Sequence, residues 1–65
     1  MCLSNVYLDD KTTDTLVLRD ASQISVTPSG VDVATLFGEK KSVKGYYVAE
    51  VNVMDNYVIL KPKGE

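Results

Sequence analysis

The sequence predicts an all-β domain: a small, strongly bent antiparallel sheet or partly open barrel of about six strands. Three observations point there. Six short segments are rich in Val, Ile, Leu, Thr and Tyr. Each is bounded by a cluster of Asp, Asn, Ser, Pro or Gly. No stretch keeps a helical period for three turns.

The first strand is LSNVYL (residues 3–8), stopped by the turn formers Asp9 and Asp10. DTLVLRD (14–20) follows and breaks at Asp20-Ala21-Ser22; QISVT (23–27) then runs to Pro28-Ser29-Gly30. A two-residue turn at Ser29-Gly30 would set Val26 opposite Val33 and Ile24 opposite Thr35, leaving Ser25, Thr27 and Asp32 outward. VDVATLF (31–37) is the fourth strand, and Gly38 to Gly45 reads as a charged loop. YYVAEVNV (46–53) and YVILKP (57–62) form the last hairpin. With Asp55-Asn56 as its turn, Val53 faces Val58 and Val51 faces Leu60, with Ala49 next on that apolar face. Glu50 with Lys61 and Met54 with Tyr57 then share the other face, as a half-buried antiparallel sheet requires. Closure into a barrel would limit the exposed edges that invite aggregation.

Bulk properties narrow the chemistry. A chain of 65 residues is one domain, spanning 1–65. A domain of this size buries about 60% of its unfolded surface, so self-association or a bound metal is an expected aid to stability. One cysteine excludes an internal disulfide and a four-cysteine zinc cluster. With no histidine there is no imidazole base and no ordinary zinc site within one chain. Asp9 and Asp10 lack the cleft that paired catalytic carboxylates need. The chain is therefore read as a non-enzyme. No apolar run approaches the roughly 20 residues that span a bilayer, and no secretory signal pattern precedes a cleavage site, so a reducing cytoplasm is the expected home.

Three groups of side chains remain as candidates. Lys40, Lys41 and Lys44 stand close to Tyr46 and Tyr47, a combination that can bind nucleic acid through phosphate contacts and base stacking. A net charge of −2 argues against that, because nucleic-acid binders carry a strong basic excess. Phe37, Tyr7, Tyr46, Tyr47 and Tyr57 suit a protein surface or subunit interface, apolar in body and, for tyrosine, polar at the tip.

The third candidate is Cys2. One reading makes it a buried, inert thiol, sharing strand parity with Val6 and Leu8. The other makes it a metal ligand. Removal of Met1 would leave an amine and a thiol on neighbouring carbons, able to hold one ion in a five-membered ring. A divalent metal displaces both protons near neutral pH. Two chains related by a twofold axis would supply two nitrogens and two sulfurs, a set suited to Ni(II) or Cu(II) and not to Mg or Ca.

Met1-Cys2, Val6-Tyr7 and the mid-chain Thr35-Leu36-Phe37-Gly38-Glu39 resemble the CooT family, nickel-binding accessory proteins of carbon monoxide dehydrogenase. The resemblance spans essentially the whole chain. It implies a small β-protein that forms a homodimer and binds one Ni(II) through the cysteine after the initiator methionine, a role that falls on Cys2. The implied partners are a second copy and a nickel-enzyme client, carbon monoxide dehydrogenase or its maturation proteins. The family is also labelled predicted RNA-binding, which this acidic chain does not support. The rival reading is an RNA- or protein-binding small barrel with a structural Cys2.

Overall fold

The structure is a computed structural model, and it describes residues 3–64. Six strands appear in chain order: β1 Ser4–Leu8, β2 Leu16–Thr27, β3 Gly30–Thr35, β4 Lys40–Lys44, β5 Tyr46–Asn52 and β6 Tyr57–Pro62. They form one sheet in the order β4-β3-β2-β1-β6-β5, with a single 3-10 turn, Thr13–Thr15, before β2. All-β architecture is as expected. The one departure in strand direction is β1, which runs parallel to β6 and pairs Val6 with Val58 and Leu8 with Leu60. No helix among the described residues is long and apolar enough to cross a membrane.

Two segments expected as separate strands are one. β2 runs for 12 residues through Asp20-Ala21-Ser22. Those residues bend the strand without ending it: Asp20 takes φ 59° and the register shifts between Ala21 and Gln23. Ala21 sits at the corner, opposite Ser4 on one side and Thr35 on the other. The first half of β2 therefore joins β1, β6 and β5, and the second half joins β3 and β4. Folding these two parts over one another encloses Val6, Leu18, Ala21, Val31, Val33, Val58 and Leu60 as the core.

Both hairpin registers differ from expectation. Pro28-Ser29, not Ser29-Gly30, forms the first turn, so Val26 faces Val31 and Ile24 faces Val33. Gly30 belongs to β3, where a side chain would strike the Val43 carbonyl and lie 2.8 Å from the Lys44 Cα. The last hairpin turns through four residues, 53–56, rather than two; Asn52 faces Tyr57 and Val51 faces Val58. The Asn52 side chain fixes this wider turn by accepting the Asp55 amide at 2.7 Å. A bulge then leaves Ala49 unpaired, bringing Glu50 opposite Ile59 and Lys61 opposite Tyr47. The expected Glu50–Lys61 pair is not formed. A slip of two residues preserves the faces, but the bulge exchanges Ala49 for Val48 on the core side.

Candidate functional site: the rim around the amino-terminal strand

β1 enters the sheet between two turns. Ser4 lies one strand from Ala21 and two from Thr35, where the β3–β4 turn begins. On the other side, Asn5 donates its amide to the Asn56 carbonyl at 3.0 Å, at the β5–β6 turn. Leu3 is half-buried at this entry. Cys2, the expected metal ligand, lies outside the described residues.

The β3–β4 turn is built around Thr35, which is 8% exposed. Its hydroxyl accepts the amides of Phe37 and Glu39, each at 3.2 Å, while its own amide donates to the Glu39 carbonyl at 2.9 Å. A buried hydroxyl taking two turn amides satisfies donors that the reversal would otherwise leave unpaired. Gly38 has φ 91°, a left-handed value that glycine adopts without steric cost. The outcome is that Leu36 and Phe37 are held out to solvent, Phe37 at 87% exposure. Residues 36 and 37 were expected to continue the strand; the Thr35 hydroxyl ends it first. A threonine directly before a Gly-containing reversal was the signal available in the sequence.

The second turn is also apolar at its surface. Val51, Val53 and Met54 are exposed, as the wider 53–56 turn leaves Val53 and Met54 without cross-strand partners. The rim around β1 thus carries five exposed apolar side chains, four on the two turns and Val51 near the end of β5. Single exposed hydrophobics are ordinary on a protein surface, but grouping at one end marks an interaction site.

The tyrosines are dispersed. Tyr46 packs against the core. Tyr47 is 44% exposed on the free edge formed by β5. Tyr7 is half-buried and pairs with Ile59, which is itself buried yet outside the main core cluster. Tyr57 donates its phenol to Glu50 Oε2 at 2.9 Å, and the Lys11 ammonium lies 5.0 Å from its ring centre. The Glu50 hydrogen bond, which holds the phenolic proton in place, raises the Tyr57 pKa above its ordinary 10.0.

The lysines expected in a loop form the edge strand β4 instead. They do not act as a group. All three are exposed, but Lys41 turns toward β2 and donates to the Val17 carbonyl at 3.1 Å. Neither Tyr46 nor Tyr47 belongs to that strand.

Among the described residues, no group of three or more Cys, Asp, Glu or His side chains is placed to hold a metal ion. With no histidine in the chain, Cys2 is its one soft side-chain donor besides the methionine thioethers.

Comparison with known proteins adds two results. The family model described as "CO dehydrogenase accessory protein CooT" matches residues 1–61. The crystal structure of a "putative CooT from Carboxydothermus hydrogenoformans" superposes with a TM-score of 0.80 at 16% identity, covering 97% of this chain and 100% of that one. At such identity the likeness establishes a shared fold. No curated protein matches the chain.

Proposed function

This chain belongs to the CooT family of CO dehydrogenase accessory proteins, and from that premise we propose that it carries nickel toward a nickel enzyme. The client is carbon monoxide dehydrogenase or one of its maturation proteins, and the cargo is Ni(II) held through Cys2 where two copies meet. One observation carries the reading. The family match runs from residue 1 to residue 61, and so includes the one cysteine of a histidine-free chain.

The donor chemistry supports it. A thiolate with neighbouring main-chain nitrogen suits Ni(II), and one chain offers too few such donors to complete a four-coordinate site. A twofold pair supplies the rest, because a self-complementary interface brings the same residue from each copy to the axis. The apolar rim on the two turns beside β1 is a surface that such a pair would cover. The protein then works by binding and release of the ion rather than by catalysis. Metal-dependent dimers also explain why so short a chain tolerates exposed Phe37 and Met54.

The test is intact-protein mass spectrometry under non-denaturing conditions, with and without nickel. A dimer holding one nickel is expected, and Cys2→Ser should lose the metal while its circular dichroism stays that of a β-protein. Unchanged nickel stoichiometry and affinity in Cys2→Ser would remove the role assigned to that thiol.

A further inference from the structure

We propose that β4 receives an extended acidic segment of a partner protein, which adds to the sheet as a seventh, antiparallel strand. β4 is an outer strand of the sheet, paired with β3 and, among the described residues, with no strand on its other side. Its hydrogen-bonding pattern follows from two observed bonds. Thr35 donates to Glu39 and Gly45 donates to Ser29, in the same register that sets Val33 opposite Lys41 and Val31 opposite Val43. Antiparallel ladders alternate, so odd-numbered residues of β4 bond to β3. The amides and carbonyls of Lys40, Ser42 and Lys44 therefore point away from the sheet, offering three donor–acceptor pairs to an incoming strand.

The side chains set what that strand should carry. Lys40, Ser42 and Lys44 share the outer face, opposite Ala34, Asp32 and Gly30. A shallow groove of about 240 Å³ lies along this face, lined by Gln23, Ser25, Asp32, Ala34, Lys40 and Ser42 among others. Lys40 and Lys44 stand four residues apart, about 13 Å along a strand. Carboxylates at positions i and i+4 of an extended partner would each face one ammonium. The middle position faces Ser42, with Asp32 directly behind it, so a third carboxylate there would be repelled. A hydroxyl or amide fits.

Lysines on an edge strand also serve as protection, since they discourage pairing between copies of the same edge. Both roles follow from one charge pattern. Antiparallel pairing of β4 with β4 would set Lys40 against Lys44 twice, whereas an acidic strand converts those repulsions into attractions. Nucleic acid fits less well: it would leave the three outward carbonyls without donors, and Lys41 is already engaged with Val17.

The probe is a synthetic peptide, acetyl-Gly-Asp-Val-Thr-Val-Asp-Gly-amide, titrated into the full metal-free chain and followed by amide NMR and hydrogen exchange. Saturable binding is expected, with the Ser42 amide exchanging freely beforehand and protected afterwards. Charge reversal in Lys40→Glu/Lys44→Glu should weaken binding at least tenfold. Ser42→Pro removes one outward donor while sparing the β3 ladder, a placement that edge strands tolerate, and should also weaken binding. If that variant misfolds, Ser42 exchange in the unaltered chain still decides the matter. Absence of binding, an unprotected Ser42 amide in the bound state, or displacement of the peptide by an octauridine oligonucleotide would each overturn the proposal. None of these outcomes bears on nickel, which is measured by mass.

Discussion

Lys63 and Gly45 are joined main chain to main chain: the Lys63 amide donates to the Gly45 carbonyl at 2.8 Å. The Gly45 amide in turn donates to Ser29 at the same distance, and the Lys63 ammonium reaches the Pro28 carbonyl at 3.0 Å. A single residue thus ties the β2–β3 turn to the far end of β6. It is also the whole connection between β4 and β5, the two outermost strands of the sheet. The sheet must curl for one residue to bridge its opposite edges.

Gly45 adopts φ 79°, where an L side chain is disfavoured by roughly 1–2 kcal/mol. Gly45→Val should lose about that much stability, together with any lost contribution from the Lys63 bond. Urea unfolding, with the two midpoints compared at equal slope, measures it. An unchanged midpoint would mean that the junction relaxes without cost.

Thr35→Val keeps the shape of the side chain and removes the oxygen that takes the Phe37 and Glu39 amides. Leaving partners of a buried hydroxyl unmet costs about 1–3 kcal/mol. Amide exchange at residues 37 and 39 should accelerate more than exchange in β1 or β6. Uniform acceleration would show that Thr35 contributes only to the core.

The Tyr57–Glu50 bond makes a signed prediction about pH. The folded-state pKa of Tyr57 lies above that of an unfolded tyrosine, near 10. Its contribution is therefore fully present below about pH 10 and is lost as pH rises through the folded value. Between neutral pH and pH 11, the unaltered protein should lose more stability than Tyr57→Phe does. Glu50→Gln should move the phenol's ionisation back toward its ordinary value, read by tyrosinate absorbance.

The proposed pairing through the rim is tested by Phe37→Asp. A carboxylate at a fully desolvated interface position costs several kcal/mol unless it is paired. Sedimentation should shift toward monomer and nickel binding should weaken with it, while Cys2 is untouched. A dimer that persists unchanged would place the interface elsewhere on the surface.

Strand content was legible because alternation and turn residues are local signals. Val6, Leu18, Val31, Val33, Val58 and Leu60 all fall where a strand pattern puts them. Register was less so. Asp55-Asn56 and Ser29-Gly30 look like two-residue turns, yet Asn52 captures the Asp55 amide and Gly30 is needed in β3 against Val43. Both are contacts with residues outside the dipeptide. The continuity of β2 was hidden because an Asp at positive φ reads locally as a stop. Lys40–Lys44 looked like a loop since an edge strand has one exposed face and few apolar residues to reveal its period. Cys2 drew attention through chemistry and family likeness, neither of which depends on the fold.

The parallel pairing of β1 with β6 fixes when the molecule can be assembled. β1 occupies the interior of the sheet, flanked by β2 and β6, and its partner residues 57–60 lie far along the sequence, beyond β2, β3, β4 and β5. During synthesis, β2, β3 and β4 can zip together by short hairpins as they emerge. Val6 has no cover on its β6 side until residues 57–60 have been made. Contacts between distant positions carry a loop-closure cost before they yield any benefit, so this step should be the slow one in folding. A ribosome stalled before residue 57 would hold an open half-sheet with Val6 and Leu18 accessible, a species expected to engage chaperones until the last strand arrives.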